Sequence, residues 1–298
     1  MMYTIERSTF SVTSADEIRQ LSRIEWNAAA PGWKKYGTNI FDAIRPVSDQ
    51  LIRSAGIASG QTVLDVATGA GEPALTIAKI VGPQGRVVGV DLSPEMLKVA
   101  KERAASQNIT NVDFQVVEDE TLSMFQDNTF DSVVCQNGLM FMPDPIKALK
   151  AFLRVLKPGG KASVTVWGSP EKAPVMMTFF RTMSKHLSDI KTPLPGTPGG
   201  PFGIPTINML HDYFSNAGFS NFNAQTIDFI FAEVKTAEEF WQGMTEVSGL
   251  MVILLSKLSD AKKQAIKDDA MRSLSKIFRS GKPFRFTGEL NLGTGTKP

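Results

Sequence analysis

A glycine-rich segment followed at a distance by an acid is the pattern in this sequence best suited to binding a ligand. Residues 63–74 read Val-Leu-Asp-Val-Ala-Thr-Gly-Ala-Gly-Glu-Pro-Ala, and Asp91 lies 20 residues after Gly71. Glycines let the backbone approach a ligand closely, and a helix beginning after the turn offers free N–H groups. A carboxylate at this distance can accept hydrogen bonds from the two ribose hydroxyls of an adenosine.

Each feature taken alone also has a purely structural explanation. Glycines at the end of a strand permit a tight turn, and Asp91 could cap the helix that begins near Pro94. The combination, placed between two apolar segments that read as buried strands, favours a ligand site. Dinucleotides and S-adenosylmethionine both bind in this geometry, and Gly69-x-Gly71-x-x-Ala74 satisfies the loose dinucleotide pattern.

The acid at Asp65 distinguishes these two ligands. A dinucleotide places a pyrophosphate over the turn, and a neighbouring carboxylate would repel that anion. S-adenosylmethionine instead carries a sulfonium and an amino group, both cationic, which suit an acid at the end of the first strand. The residues therefore favour S-adenosylmethionine as the cofactor and leave a nicotinamide-dependent oxidoreductase as an alternative.

An alternation of strands and helices is the scaffold that would position these residues. Short apolar segments predict five strands, and the segments between them predict helices. The strands fall at 62–66, 86–90, 112–117, 130–135 and 161–167, the helices at 72–81, 94–106 and 145–156, and a turn at 157–160. Strands that alternate with helices at this spacing predict a parallel sheet with helices on both faces.

The regions on either side of this core read differently. Before it, two helices are predicted at about 15–29 and 38–55, separated by a break at Pro31-Gly32. After it, the strict alternation stops. The predicted elements there are helices at 171–187 and 206–217, a strand at 221–231, two or three helices over 236–278 and a last strand at 283–292.

Four segments of the core together resemble a known family. They are residues 65–71 (Asp-Val-Ala-Thr-Gly-Ala-Gly), 90–97 (Val-Asp-Leu-Ser-Pro-Glu-Met-Leu), 127–134 (Asp-Asn-Thr-Phe-Asp-Ser-Val-Val) and 153–160 (Leu-Arg-Val-Leu-Lys-Pro-Gly-Gly). In order and spacing they are similar to the motifs of class I S-adenosylmethionine-dependent methyltransferases. The resemblance is strongest to the ubiquinone/menaquinone-biosynthesis type and covers about residues 60–168.

The resemblance implies a complete fold. It is a Rossmann-like, doubly wound α/β fold with a seven-stranded sheet whose last strand is antiparallel and lies between strands five and six. On this basis residues 1–58 would form an N-terminal helical lid and residues 59–170 the cofactor-binding core. Residues 171–298 would complete the sheet, with a helical insertion at about 236–280 covering the substrate side as a lid.

The resemblance also assigns roles within the site. The backbone of Ala67, Thr68, Gly69, Ala70 and Gly71 would cradle the methionine part of the cofactor, close to Asp65. Asp91 would hold the ribose, with Leu92 and Met96 near the adenine, and Gln136 would line the sulfonium. Asp119 and Glu120 would face the adenine amino group, although the family usually has a small residue where Glu120 stands, so that its backbone N–H alone would serve.

Candidate substrate residues surround this site. Trp33, Tyr36, Asn137 and Met140 are assigned to the substrate pocket or lid, and we hypothesise that Trp33 and Tyr36 close over the cofactor. Nearby aromatic and methionine side chains suit an apolar or planar acceptor, although core packing explains each of them as well. The predicted function is metal-independent methyl transfer to carbon, oxygen or nitrogen of a small molecule. A catalytically silent cofactor-binding protein is a further alternative.

Composition narrows the other classes of function. Lysine and arginine number 32, and aspartate and glutamate number 30. The small net charge creates no electrostatic field strong enough to attract nucleic acid. Cys135 is the single cysteine, so no internal disulfide forms, and His186 and His211 are too far apart for a metal motif. No apolar segment is long enough to span a bilayer. We expect a cytoplasmic protein without integral membrane contact; the sequence is compatible with a homodimer and identifies no catalytic base.

Overall fold

A seven-stranded mixed sheet forms the centre of the structure, a computed structural model that describes residues 14–187, 195–277 and 284–298. Its spatial order is β3-β2-β1-β4-β5-β7-β6. The strands are β1 (Thr62–Val66), β2 (Arg86–Asp91), β3 (Val112–Val116), β4 (Phe130–Gln136), β5 (Leu156–Trp167), β6 (Ser220–Val234) and β7 (Phe284–Thr296). The helices are α1 (Ala15–Ala55), α2 (Ala74–Val81), α3 (Pro94–Ser106), α4 (Pro145–Val155), α5 (Pro174–His186), α6 (Ile207–Ala217), α7 (Ala237–Val247), α8 (Gly249–Ser256) and α9 (Asp260–Ser275).

The sheet confirms the predicted topology. Strands β1 to β5 pair in parallel, whereas β7 pairs antiparallel with β5 on one side and with β6 on the other. The last strand therefore lies between strands five and six, as the resemblance implied. The parallel strands are apolar and largely buried because helices cover both of their faces.

Helix α1 and helix α6 lie on opposite faces of the sheet. Ser132 of β4 donates from Oγ to the carbonyl of Ala55, which places the end of α1 on the face that also carries Gln136. On the other face, a Cβ at Gly293 of β7 would lie 2.7 Å from the Leu210 side chain of α6. Elements that meet a ligand on the α1 face are therefore separated from α6 by the sheet.

The N-terminal region is one helix of 41 residues, which corrects the prediction of two helices with a break at Pro31-Gly32. A capping box at Ser14 and Glu17 begins the helix, and both Pro31 and Pro46 lie inside it. An internal proline removes a helical hydrogen bond and costs about 3 kcal/mol. Packing of α1 against the sheet and against α3, α7 and α8 offsets that cost.

Residues 157–160, predicted as a turn, lie within the range of β5, where they form a bulge in which Gly159 has a left-handed φ of +76°. Gly159 donates its N–H to the carbonyl of Lys297, and the N–H of Lys297 bonds Gly160 in return. Lys297 thus extends the antiparallel ladder past β7 and holds this bulge in place. An irregularity in the β4–β5 register near Phe130 and Ser132 accommodates it.

The C-terminal region follows the predicted order of elements. Strand β6 ends at Val234, three residues later than predicted, and β7 extends to Thr296. The segment between them forms the three helices α7, α8 and α9. The predicted insertion up to residue 280 and the predicted strand start at 283 reach into residues 278–283, which lie outside the described residues, as do residues 1–13 and 188–194. Within the described ranges, no helix combines the length and apolar character needed to cross a bilayer.

Two glycines permit the close contact between α1 and the inserted helices. A Cβ at Gly249 of α8 would lie 1.7 Å from the carbonyl oxygen of Glu25, and a Cβ at Gly32 would lie 2.0 Å from that of Glu246. Neither position has room for a side chain, because the obstructing atoms are backbone. The α1–α7–α8 contact therefore depends on glycine at both positions.

We predict that Gly249→Ala destabilises the protein by about 1–3 kcal/mol, the usual cost of overpacking a close contact. The matched control is Gly243→Ala in α7, where an added Cβ would meet no atom within 4 Å. That change should stabilise the protein by about 0.4–1 kcal/mol because alanine restricts the unfolded chain. Urea unfolding measures both; equal effects of the two substitutions would contradict the proposed packing.

Candidate functional site

Residues 67–71, the glycine turn after β1, include backbone conformations that L-residues rarely take. The φ angles are +58° at Ala67, +55° at Gly69 and +97° at Gly71. A Cβ at Gly69 would lie 3.3 Å from the Met96 side chain, and one at Gly71 would lie 3.2 Å from the Cβ of Ala100. The turn thus needs glycine for its left-handed backbone and for its close approach to α3.

Asp65 joins the two ends of this turn. Its side chain is fully buried, and its Oδ2 accepts hydrogen bonds from Thr68 Oγ1 at 2.6 Å and from the N–H of Ala74 at 3.1 Å. Burial raises the pKa of the carboxyl group to about 7 against an ordinary value of 3.8. Asp65 therefore positions the turn between β1 and α2 in addition to placing an ionisable group beneath it.

The second oxygen of this carboxyl group is suited to a cation. Within the described residues Asp65 Oδ1 is buried and has no hydrogen-bond partner. An unpartnered buried carboxylate oxygen is costly, and a nearby positive charge or donor offsets the cost. The observation fits a ligand that brings an ammonium or sulfonium group to the turn, and it disfavours a pyrophosphate there.

Asp91 connects the end of β2 to the same turn. It is 8% exposed, and its two oxygens accept from the N–H groups of Gly69 and Ser93, both at 2.8 Å. Burial raises its pKa, although these backbone donors act in the opposite direction. Each carboxylate oxygen has a second lone pair, so both can still accept from a vicinal diol. Met96, one turn into α3, is buried beneath Gly69, whereas Leu92 is partly exposed.

Glu120 lies where the resemblance placed it, after β3, but its side chain has a different partner. Arg19 of α1 binds both of its oxygens, from Nε and from Nη2, each at 2.9 Å. The Glu120 side chain is only 2% exposed, and the pair raises the pKa of Arg19. Asp119 accepts from the Thr121 hydroxyl and N–H through Oδ1. A bidentate pair occupies the Glu120 carboxylate, which leaves its backbone as the part able to face an adenine.

The loop after β4 reaches the glycine turn. A Cβ at Gly138 would lie 2.5 Å from the Cβ of Ala67, so glycine is needed there. Gln136 accepts through Oε1 from Ser48 Oγ of α1 at 2.8 Å. Asn137 has a φ of +56° and is held by Thr165 of β5, and Met140 is 1% exposed with its sulfur 3.2 Å from the N–H of Trp167.

Trp33 and Tyr36 contact the C-terminal end of α7. The indole N–H of Trp33 bonds the carbonyl of Val247 at 3.1 Å, and the Tyr36 hydroxyl bonds Glu246 at the same distance. These contacts fasten α1 to the helical insertion. The hypothesis that the two side chains close over the cofactor stays a prediction, as do the substrate roles of Asn137 and Met140.

Sequence reasoning missed the polar residues by which α1 crosses the carboxyl ends of three strands. Arg19 reaches the loop after β3, Ser48 reaches Gln136 at the end of β4, and Asn27 accepts from Ser93 Oγ after β2 at 2.7 Å. These side chains lie on a helix that was predicted in two pieces, so their common direction could not be seen. Helix α1 therefore covers the edge of the sheet where open α/β folds bind ligands.

A series of aromatic rings follows α1 along this edge. Trp26 packs edge-on against Phe141 of the loop after β4, with centroids 5.5 Å apart, and lies 6.4 Å from Trp33. Trp33 in turn lies 5.7 Å from Phe41. The series supplies an apolar wall between the loop after β4 and the region of the glycine turn.

Other reactive groups lie away from this edge or are masked by burial. Burial raises the pKa of the Cys135 thiol to about 12, so it is not a nucleophile at neutral pH. His211 is on α6, on the opposite face of the sheet, and His186 pairs with Asp269 of α9 at 3.1 Å. Within the part of the chain that the structure describes, no cluster of three His, Cys, Asp or Glu side chains could hold a metal ion.

Comparison with known proteins agrees with this geometry. A family model described as a methyltransferase domain matches residues 57–193. Demethylmenaquinone methyltransferase of Staphylococcus aureus (strain JH9) is 34% identical over 181 residues, covering 58% of this chain and 73% of that protein. Among solved structures, a Haemonchus contortus phosphoethanolamine N-methyltransferase 2 in complex with S-adenosylhomocysteine shows 20% identity and a TM-score of 0.58, over 97% of this chain and 62% of that one. The [4+2]-cyclase SpnF shows 19% identity and a TM-score of 0.59, over 96% of each chain.

The chain belongs to the class I S-adenosylmethionine-dependent methyltransferases. It is similar to the menaquinone-biosynthesis type within that class, and S-adenosylmethionine is its cofactor. The left-handed glycine turn and the two buried acids beside it are the features of this chain that fit a cationic adenosine ligand. The two solved structures, at about one identity in five, support the fold alone.

Asp65→Asn tests the buried carboxyl group. Because the folded-state pKa lies above the unfolded value, the folded protein holds the proton more tightly, and this group's contribution to the free energy of unfolding falls as pH rises from about 4 to about 7. Asparagine keeps an acceptor for Thr68 and Ala74 but cannot ionise. We therefore expect the Tm of the variant, relative to the native protein, to increase with pH across this range.

The matched control is Asp260→Asn, an acid whose side chain is fully exposed. Its Tm difference from the native protein should change little over the same range. A difference that is constant with pH for Asp65→Asn would contradict an elevated pKa. At pH 8 the variant should also bind S-adenosylmethionine more weakly, since the negative charge beneath the turn is gone; calorimetry measures this.

Proposed function

We propose that this chain transfers the methyl group of S-adenosylmethionine to carbon, oxygen or nitrogen of a small molecule. The observation that carries the proposal is the position of α1 across the carboxyl ends of β2, β3 and β4. A helix fastened at three points over a binding edge would restrict the access of a folded macromolecule or duplex, which favours a small acceptor. The net charge of +2 likewise offers no attraction for nucleic acid.

The proposed chemistry is a direct displacement that needs little more than positioning. The cofactor, when bound, supplies a methyl group already activated on a sulfonium, so orientation and exclusion of water can provide most of the rate. Asp91 would accept from the ribose hydroxyls, Asp65 would balance the cationic end, and Gln136 would lie near the sulfonium. Asp119 and the backbone of Glu120 would meet the adenine. No metal is required for this reaction, and we assign no general base.

The aromatic series favours a planar, apolar acceptor. The Trp26 ring centroid lies 5.5 Å from that of Phe141 and 6.4 Å from that of Trp33, and all three side chains are partly exposed, so they offer apolar ring surface. The relative from Staphylococcus aureus is named for methylation of demethylmenaquinone. Helices α7 and α8, which pack against α1, would close over the acceptor as a lid together with Trp33 and Tyr36.

The experimental test must separate methyl transfer from two alternative functions. A nicotinamide-dependent oxidoreductase gains no support from the comparisons, and Asp65 beneath the turn disfavours it. A protein that binds the cofactor without transferring a methyl group is the second alternative, because the same fold occurs in the [4+2]-cyclase SpnF. A cytoplasmic location and a homodimer stay predictions.

The test offers the full chain methyl-labelled S-adenosylmethionine together with a short-chain demethylnaphthoquinol or with phosphoethanolamine. We expect label to pass to the naphthoquinol and not to phosphoethanolamine. Transfer to phosphoethanolamine alone would overturn the planar acceptor, and cofactor binding without transfer to any of a broad acceptor panel would favour the silent alternative. Calorimetric binding of NAD instead of S-adenosylmethionine would overturn the function itself.

Asp91→Ala should weaken cofactor binding about 10- to 100-fold, which corresponds to the loss of hydrogen bonds to a charged acceptor. The control is Asp113→Ala on β3, a half-exposed acid that pairs with Arg86. Its cofactor dissociation constant should stay within about twofold of the native value. Calorimetric titration with S-adenosylmethionine measures both. An unchanged dissociation constant for Asp91→Ala would contradict the proposed contact of Asp91 with the ribose.

A further inference from the structure

Arg103, in the last turn of α3, contacts the glycine turn and helix α1 at the same time. Its Nη1 donates to the carbonyl of Ala70 at 2.5 Å, and its Nη2 donates to Oε1 of Glu72 at 3.2 Å. The guanidinium carbon also lies over the Phe41 ring, 4.2 Å from the centroid. Ala70 and Glu72 flank Gly71, so one cation bridges the cofactor turn and the helix that covers it.

The position of Arg103 on α3 explains why it meets the turn. Met96, Ala100 and Arg103 are spaced by four and then three residues, which places them on one face of a helix. The first two meet Gly69 and Gly71 at van der Waals distance, as described above. Arg103 continues that face to the far side of the turn, where the carbonyl of Ala70 is exposed to it.

The surroundings of the guanidinium make these contacts strong. The Arg103 side chain is 21% exposed and that of Glu72 is 9% exposed, so water competes weakly for either charge. Burial lowers the pKa of Arg103, and Glu72 counteracts that effect. A cation in this environment depends on each of its partners, because removal of one leaves a charge that is incompletely compensated. The ring of Phe41, 6% exposed, is one of those partners.

Phe41 links Arg103 to the other aromatic residues that lie along α1. It is the last ring of the series that runs from Phe141 through Trp26 and Trp33 along α1. A displacement of α1 would therefore move Phe41 and expose the face of the guanidinium. The carbonyl of Ala70 would then lose a donor that is held in place by packing.

We propose that Arg103 is a positioning residue that couples the docking of α1 to the cofactor-binding shape of the glycine turn. While α1 covers the edge of the sheet, Phe41 holds the guanidinium against Ala70 and Glu72, and the turn keeps its left-handed conformation. S-adenosylmethionine binding and α1 docking then reinforce each other, as any two coupled equilibria must. Arg103 touches no reacting atom, and the inference rests on the cofactor site and not on the identity of the acceptor.

The experiment is a double-mutant cycle on the full chain, with S-adenosylmethionine as the titrant in a calorimeter. Arg103→Gln removes the guanidinium group, and Phe41→Leu removes the aromatic ring but keeps an apolar side chain. We expect each to weaken cofactor binding about 10-fold and the pair together to weaken it by clearly less than the product, because both act through one contact. Effects that multiply would overturn the coupling.

Two further variants separate positioning from general damage. Arg103→Lys keeps the charge and should recover part of the affinity that Arg103→Gln loses. Arg86→Gln changes an exposed arginine at the opposite end of β2 and should leave the dissociation constant within about twofold of the native value. If Arg103→Gln does not fold, Arg103→Lys replaces it in the cycle with Phe41→Leu. Affinity unchanged in either Arg103 variant would overturn the proposal.

Hydrogen exchange of peptides from residues 15–55 supplies a readout that a loss of stability alone would not produce. In the native protein, S-adenosylmethionine should slow exchange along α1. In Arg103→Gln, at saturating cofactor, that slowing should be lost around Phe41 although the turn is occupied. Equal protection in both proteins would contradict the coupling. Failure of the native protein to bind S-adenosylmethionine would instead count against the cofactor site itself, a distinct result.

Discussion

The chain must leave β1 through a left-handed turn that lies directly on α3, and the remainder of the site depends on that close approach. Glycine at positions 69 and 71 makes the turn sterically accessible, but it does not hold it in place. Asp65 holds the turn in place by accepting hydrogen bonds from Thr68 within the turn and from Ala74 after it. Asp91 does so from the neighbouring strand through the N–H of Gly69. Two buried acids therefore hold the turn, and their incompletely satisfied oxygens make the same place attractive to a cationic adenosine ligand.

Helix α1 lies across this edge of the sheet. It is fastened by a buried ion pair, by hydrogen bonds to the ends of two further strands and by aromatic contacts, and it is braced from outside by α7 and α8. The ion pair of Arg19 with Glu120 replaces the small residue typical of the family, which shows how a departure from a motif can serve a different contact. If α1 acts as the proposed lid, it would favour catalysis by exclusion of water and would have to move for cofactor and product to exchange. The contacts that connect α1 to the glycine turn are therefore central to how this enzyme would operate.

The family and the acceptor are supported by different kinds of observation. The strand order, the turn and the 34% identity to a relative of known name define an S-adenosylmethionine-dependent methyltransferase. The proposed acceptor rests instead on α1, on the loop after β4 and on the inserted helices. The cyclase SpnF, with a similar overall fold, illustrates that the fold does not determine the reaction. The aromatic rings of this chain consequently carry the argument for a planar acceptor.

The sequence by itself determined the core, because strand, glycine turn and acid are local features whose spacing along the chain sets their position at one edge of a parallel sheet. The order of the last strands and the assignment to the family were also readable from four short motifs. Only the tertiary structure decided that Pro31 lies within one continuous helix, since packing against α7 and α8 outweighs the local cost of proline. It also decided that Glu120 binds Arg19 and that Arg103 holds Ala70, because both contacts join residues far apart in the chain, for which local pattern carries no signal. Site residues that lie close together in the sequence could thus be predicted. The position of α1 over the site depends on long-range packing that only the folded chain defines.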